Sequence, residues 1–172
     1  MSMKSEPLTR LHLVDEQATI RLGEEIGREV FAGLLIRLIG PLGTGKTTLV
    51  KGVAKGMGAA EAEVSSPSYT VVNSYTAKRY TLLHADLYRL GQAPFIDDTG
   101  IYEALERRDA VVAIEWAERV ELSIYPSLTV TLDYSGGDAS DGRDAVVTAS
   151  GKGARVLERL NARLAGAGRT AS

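Results

Sequence analysis

The stretch Gly40 to Thr47 (GPLGTGKT) matches the pattern G-x-x-x-x-G-K-[ST], whose residue types are those needed to hold a polyphosphate. Gly43 and Gly45 lack a Cβ atom, so the backbone there can curl tightly and direct several N–H groups at one anion. Lys46 supplies an ammonium for the β- and γ-phosphates, and the Thr47 hydroxyl is a ligand suited to Mg²⁺. The residues predicted to bind the nucleotide are Leu42, Gly43, Thr44, Gly45, Lys46, Thr47 and Thr48.

The segments on either side of this stretch have the composition that such a loop requires. Leu34 to Ile39 is a short apolar run, which is typical of a buried strand. Thr48 to Met57 predicts a helix, and Gly58 is suited to end it in the left-handed conformation. Strand, glycine-rich turn and helix in this order place a phosphate group at the positive end of a helix.

Two acidic residues are candidates to complete the site. Asp86 follows the predicted strand Tyr80 to Ala85, and Glu115 follows the more apolar strand Ala110 to Ile114. Ligands of open α/β sheets gather at the carboxyl ends of strands, where a carboxylate can hold Mg²⁺ or orient an attacking water. Glu115 is the better metal candidate because its strand is typical of a central position, and Asp86 is the better candidate for the catalytic carboxylate. We expect His84 to be packed and hydrogen-bonded rather than catalytic.

The remaining elements predict one α/β domain. Asp15 is a candidate N-cap for a helix that follows a short strand, Leu11 to Val14. A hairpin is predicted over Tyr69–Thr76 and Tyr80–Ala85, a helix over Thr99–Arg108, a strand pair over Leu128–Tyr134 and Asp144–Ala149, and a closing helix over Ala154–Leu164. We expect a P-loop NTPase fold with a mixed, largely parallel central sheet flanked by helices. It would span residues 11–164, between flexible termini at 1–10 and 165–172.

The composition limits the classes of function. With 172 residues, of which 44% are hydrophobic, the chain can bury a core as one domain. The formal net charge of −2 gives no global indication of nucleic-acid binding, although it leaves room for a local basic patch. The absence of cysteine excludes disulfides, thiolate catalysis and thiolate metal ligands. No apolar run is long enough to cross a bilayer and residues 1–10 lack the apolar middle of a secretory signal, so we expect a cytoplasmic protein.

Four motifs, taken together and in order, resemble the TsaE family of small bacterial P-loop ATPases needed to make threonylcarbamoyladenosine in tRNA. They are Gly40 to Thr48 (GPLGTGKTT), Ser66 to Tyr69 (SPSY), His84 to Arg89 (HADLYR) and Glu115-Trp116 (EW). The resemblance extends from about Asp15 to Ala149, which is most of the chain. Two positions depart from the family pattern: Ser68 stands in place of threonine, and Ala117 in place of a frequent proline.

The resemblance implies a role for each matching residue. Lys46 and Thr47 would bind phosphate and Mg²⁺, Glu115 would be the acid on the metal side, and Asp86 would be the carboxylate required for turnover. Three further features are implied by the same resemblance. Trp116 would be needed for activity, Thr19 would approach the adenine end of the nucleotide, and Ser66, Pro67 and Ser68 would form a switch-like segment.

The resemblance also implies partners. In that family the ATPase acts with the threonylcarbamoyl transferase subunit and its inactive paralogue, proteins of the TsaD and TsaB type, and ATP hydrolysis resets the assembly between rounds. Direct contact with tRNA stays an open question. We expect the isolated chain to hydrolyse ATP slowly, because no arginine finger is evident and such a residue contributes roughly 10³–10⁵ in rate.

Three other functions are alternatives on the same fold. A small-molecule kinase usually needs a lid that carries arginines over the phosphates, and the stretch available for one, Gly91 to Thr99, contains no arginine or lysine. A nucleotide-gated binding protein with little turnover has the same sequence features as an ATPase and differs in rate and partners. A GTPase is disfavoured because no N-K-x-D base-recognition motif is present.

Overall fold

The computed structural model describes residues 8–59, 64, 65, 67, 72–88, 99–137 and 142–167. Its strands are β1 (Leu8–Leu13), β2 (Leu35–Ile39), β3 (Val72–Thr76), β4 (Thr81–Asp86), β5 (Ala110–Glu115), β6 (Ser127–Tyr134) and β7 (Arg143–Ser150). Its helices are α1 (Glu16–Glu29), α2 (Lys46–Met57), α3 (Ile101–Arg107) and α4 (Ala154–Ala167). A short 3₁₀ turn at Ala117–Arg119 follows β5.

All seven strands belong to one sheet, in the order β1-β7-β6-β2-β5-β4-β3. The neighbours β6, β2, β5 and β4 pair in parallel. β1 shares their direction, because β1 and β6 are both antiparallel to β7, so that only β7 and β3 run the other way. The predicted α/β fold with a mixed, largely parallel sheet is therefore confirmed.

Helices cover the two faces of the sheet unequally. On one face, apolar residues of α1, α2 and α4, among them Ile26, Leu49 and Leu157, share one buried cluster with sheet residues such as Leu38. On the other face, α3 and the 3₁₀ turn cover mainly the central strands. β5 is buried along its whole length, which agrees with its apolar sequence and its central position. In the part of the chain that is described, no helix is long and apolar enough to cross a membrane.

Most predicted elements are confirmed, with shifts at their ends. Asp15 is the N-cap of α1, since its Oδ1 accepts a hydrogen bond from the Ala18 N–H at 2.6 Å. β3 and β4 form the predicted antiparallel hairpin.

The ends of the domain differ from the predicted ones. β1 begins at Leu8, before the predicted domain boundary at residue 11, because its pairing with β7 starts at Leu8. α4 continues to Ala167, beyond the predicted boundary at 164. Residues 1–7 and 168–172, which belong to the predicted flexible termini, and residues 91–98 of the candidate lid lie outside the described residues.

α1 and α2 are in backbone contact through glycines. Gly23 of α1 and Gly52 of α2 face each other across the helix pair, and a Cβ atom on either would meet a carbonyl oxygen of the other helix at 2.2 Å. Gly27 and Gly56 repeat the arrangement one turn further along. Since real Cβ atoms never come so close to an oxygen, only glycine permits this separation of the two helices.

We predict that Gly52→Ala lowers the free energy of unfolding by about 1–3 kcal/mol, because the added methyl group must push α1 away from α2. Urea unfolding followed by circular dichroism measures the change. Gly166→Ala is the matched control: a Cβ there has no neighbour within 4 Å, so this helix substitution should stabilise the protein by at most about 1 kcal/mol. Equal effects of the two substitutions would contradict the close contact.

Candidate functional site

The loop between β2 and α2 has the backbone that the glycine-rich sequence predicts. Gly43 and Gly45 have φ angles of +80° and +101°, in the left-handed region that other residues rarely adopt. Gly45 is the N-cap of α2, and its carbonyl accepts the first hydrogen bond of the helix, from Leu49 at 2.8 Å. Thr44 is fully buried and donates its hydroxyl to the Pro41 carbonyl at 2.9 Å. The first turn of α2 therefore points its N–H groups into the curl of the loop.

Lys46 folds back over the loop that carries it. Its Nζ donates to the carbonyl oxygens of Gly40 and Pro41 at 2.7 and 2.8 Å, and the side chain is almost completely buried. Burial lowers the pKa of Lys46 from its ordinary value of 10.5, and the carboxylates of Glu115, Asp86 and Glu118 oppose that shift. The ammonium is thus held at the loop by carbonyls that an anionic ligand can replace.

Thr47 and Glu115 are joined directly. The Thr47 hydroxyl donates to Glu115 Oε1 at 2.7 Å, and the buried His84 contacts the same oxygen through Nε2 at 2.8 Å. His84 is completely buried, as expected of a packed histidine, and its Nδ1 has no partner among the described residues. Its Nε2 and the Thr47 hydroxyl meet the same oxygen of the Glu115 carboxylate. His84 therefore fixes the orientation of the Glu115 carboxylate.

Asp86 emerges beside Glu115 at the carboxyl edge of the sheet. The two residues are paired in the parallel register of β4 and β5, so their side chains leave the same face of the sheet. Asp86 Oδ1 accepts a hydrogen bond from the Tyr88 N–H at 2.9 Å, and its charge reaches Lys46. Both predicted acids therefore lie near the loop.

The arrangement of oxygen donors suits a metal ion that arrives with phosphates. Thr47 Oγ1 and the Glu115 carboxylate are hard oxygen ligands of the type that Mg²⁺ prefers. Across the described ranges, no three acidic or histidine side chains converge into a complete metal site. Mg²⁺ usually keeps several waters and takes the rest of its ligands from one or two protein groups and from phosphate oxygens. The residues present fit that mode.

Trp116 closes the loop from the side of β5. It has a φ angle of +61°, uncommon for a bulky residue, and this turn brings its ring to 4.2 Å from Lys46 Nζ. Arg119 lies 5.2 Å from the Trp116 ring and donates to the carbonyls of Leu87 and Tyr88 at 3.0 and 2.8 Å. Arg119 thus ties the turn after β5 to the segment that follows Asp86, although no sequence motif singles it out.

A cavity of about 310 Å³ opens beside the loop. Thr19 and Thr48 line it together with Gly43 and Gly45, and the start of α1 forms one wall. Thr19 is buried, and its methyl group lies 3.5 Å from where a Cβ of Gly45 would be. The predicted position of Thr19 near the nucleoside end of the ligand is compatible with this cavity.

Two side chains that sequence reasoning missed support the outer part of the loop. The Tyr134 hydroxyl donates to the carbonyl of the exposed Leu42 at 2.7 Å. Arg143 lies over the Tyr134 ring at 4.6 Å and donates to the Gly43 carbonyl at 3.4 Å. Leu42 and Tyr134 are 92 residues apart in the chain, so only the pairing of β6 with β2 reveals the contact.

The predicted switch segment is described only in part. Pro67 is buried, whereas Ser66 and Ser68 lie outside the described residues, as does Arg89. Next to Pro67, the carbonyl of Ser65 accepts a hydrogen bond from the Tyr75 hydroxyl at 3.1 Å. The role of this segment stays a prediction.

Comparison with known proteins identifies relatives of the chain. Residues 13–144 match the model of the family described as threonylcarbamoyl adenosine biosynthesis protein TsaE. A protein from Nostoc sp., named tRNA threonylcarbamoyladenosine biosynthesis protein TsaE, is 40% identical over 77% of this chain and 82% of its own length. Proteins of the same name from Treponema pallidum and Haemophilus influenzae are 40% and 32% identical, over 67% and 75% of this chain and 83% and 84% of their own lengths.

A solved structure shares the fold. The crystal structure of Bacillus subtilis YdiB aligns with a TM-score of 0.70, over 92% of this chain and 97% of that one, at 24% identity. At this level of identity the likeness supports the fold alone.

The buried Lys46 predicts a pH dependence of nucleotide binding. At pH values between the lowered pKa of Lys46 and the ordinary lysine pKa of 10.5, Lys46 is largely deprotonated in the free protein. Bound phosphates favour its protonated form, the ammonium. Binding of ADP without metal should therefore take up a proton there, and affinity should fall as the pH rises through the lowered pKa. Calorimetry in two buffers of different ionisation enthalpy measures both effects.

Glu115→Gln should move the fall in affinity to lower pH, because Glu115 is the largest of the three carboxylate contributions that oppose the lowering of the Lys46 pKa. Glu118→Gln is the matched control and should move it less, since its contribution is the smallest of the three carboxylates. An affinity that stays constant up to the ordinary lysine value would contradict the burial of the ammonium.

Proposed function

Because the chain belongs to the TsaE family of threonylcarbamoyladenosine biosynthesis proteins, we propose that it is a Mg²⁺-dependent ATPase that supports this tRNA modification. It binds ATP through the loop Gly40 to Thr47 and hydrolyses it to ADP and phosphate. Hydrolysis resets a transferase assembly between rounds, and the transfer chemistry belongs to the partner.

The observation that carries the proposal is the contact between Thr47 and Glu115 at the base of the loop. The hydroxyl and the carboxylate are 2.7 Å apart, next to the ammonium of Lys46, so groups suited to a metal ion and to a phosphate occur together. A purely structural glycine-rich turn would not need a buried acid and a buried lysine at this point, because burial of each charge is costly.

Each side chain has a distinct task in the proposed reaction. Lys46 leaves the carbonyls of Gly40 and Pro41 and donates to phosphate oxygens instead, which keeps its ammonium hydrogen-bonded. Thr47 and Glu115 would hold Mg²⁺, which would supply positive charge to offset that of the phosphates. Asp86 orients the attacking water toward the γ-phosphorus.

The partners and the location follow from the family rather than from the geometry. Proteins of the TsaD and TsaB type, the transferase subunit and its inactive paralogue, are the proposed partners. The cavity lined by Thr19 and Thr48 is the proposed site of the nucleoside. We place the protein in the cytoplasm, where tRNA is modified.

Asp86→Asn should retain ATP binding and lower partner-stimulated hydrolysis by roughly 10²–10⁴, because the carboxylate that orients water is removed while the phosphate ligands stay. Phosphate release with the TsaD- and TsaB-type partners present measures the rate, and calorimetry measures binding. Asp109→Asn, an exposed acid paired with Arg107 far from the loop, is the control and should change neither.

Lys46→Ala should instead weaken ATP binding by roughly tenfold to a hundredfold, the cost of losing a charge-assisted hydrogen bond. Transfer of phosphate to an added metabolite would point to a kinase. Binding without any turnover, even with both partners, would reduce the chain to a nucleotide-gated binding protein.

A further inference from the structure

A strongly basic surface lies at the edge of the sheet opposite the phosphate loop. Two adjoining grooves, of about 410 and 350 Å³, share Val30, Arg79 and Tyr80 in their lining. The ends of α1 and α2, the tip of the β3–β4 hairpin and the start of α4 border them. We call the grooves and the cations around them the basic face. α2 separates this face from the loop by about 18 Å, the length of its 12 residues.

The charge of the basic face contrasts with that of the whole chain. Its cations are Arg28, Lys55, Lys78, Arg79, Lys152, Arg155, Arg159 and Arg163. They are 8 of the 20 lysines and arginines of a chain with a net charge of −2. The acids that line the same grooves are Glu24 and Glu29. A concentration of one sign of charge in concave surfaces attracts a polyanion.

The carboxylates of this region neutralise only some of these cations. Arg28 pairs with Glu24 and Glu25, and Lys55 also pairs with Glu24, at 3.3 Å. Arg159 and Arg163 both contact Glu29. The acids nearby are therefore already engaged.

Four other cations of the basic face have no ion pair with any carboxylate in the described ranges: Lys78, Arg79, Lys152 and Arg155. They come from the hairpin tip, from the turn after β7 and from the first turn of α4. The side chain of Lys78 lies beside Gly58, with its Cγ and Cδ 2.9 Å from where a Cβ of that glycine would be. Exposed cations drawn from separate elements around adjoining grooves are suited to the negative charges of a phosphodiester backbone.

The grooves also offer aromatic surface. Phe31 and Tyr80, both half-buried, line the second groove next to Arg79 and Arg155. Rings beside a basic track are the combination on which unpaired bases stack while their phosphates meet the cations. An acidic protein segment would use the cations and leave the rings without a matched contact.

We propose that the basic face binds RNA, through its phosphates and through unpaired bases. The choice of RNA among polyanions rests on the proposed function in tRNA modification. The surface is separate from the nucleotide site, so one chain can hold ATP at one edge of the sheet and RNA at the other.

The test compares two double charge reversals that change the net charge equally. Arg79→Glu with Arg155→Glu removes two unpaired cations of the basic face. Arg10→Glu with Arg107→Glu removes two exposed cations elsewhere, on β1 and α3. Fluorescence anisotropy with a labelled tRNA transcript measures the affinity at several salt concentrations. Calorimetry with ADP checks that the nucleotide site is intact, and urea unfolding checks that each variant is folded.

The proposal expects the first double variant to lose roughly tenfold or more in RNA affinity, and the salt dependence of log K to flatten by about 1.4–1.8 for two lost phosphate contacts. The control should lose far less. Equal losses of RNA affinity in both variants, or no RNA binding by the unaltered protein, would overturn the proposal. Polyglutamate that competes for the basic face as well as unlabelled RNA does would also overturn it, because that result would indicate an acidic protein partner. If the unaltered protein binds RNA but no nucleotide, the proposed ATPase function is wrong and the proposal that the basic face binds RNA is supported.

Discussion

The ammonium of Lys46 is the group around which this structure is organised. It is almost completely removed from water, and a buried cation is tolerated only with hydrogen bonds and opposite charge close by. The carbonyls of Gly40 and Pro41 supply the hydrogen bonds, and the acids at the ends of β4 and β5 supply the charge. Strand order, loop curl and the turn at Trp116 all serve to bring these groups to one point.

The sequence predicted the parts of this arrangement that depend on neighbouring residues. The loop from Gly40 to Thr47 carries its own backbone requirements, and the apolar strand before Glu115 indicated a central position that the sheet confirms. The N-cap at Asp15 could also be predicted, because its side chain accepts a hydrogen bond from the N–H of Ala18, only three residues further along the chain. Features that depend on residues close together in the chain can therefore be predicted from the sequence.

Contacts between residues far apart in the chain could not be predicted in this way. Nothing in the sequence joins Tyr134 to Leu42, or His84 to the oxygen of Glu115 that also binds Thr47. The basic face shows the same limit. Its cations are scattered over α1, α2, the tip of the β3–β4 hairpin, the turn after β7 and α4, and the net charge of −2 gives no sign of them. Such features appear only when strand order fixes which ends of the chain are neighbours.

The glycine contact between α1 and α2 has a mechanical consequence for the ligand. With no side chains between them at Gly23 and Gly52, the backbones of the two helices are in direct contact, and we expect a displacement of one helix to displace the other. One helix begins at the phosphate loop and the other begins at the wall of the cavity near Thr19. In the proposed ATPase, a displacement of the loop that binds the phosphates would therefore be accompanied by a displacement of the cavity wall proposed to meet the nucleoside.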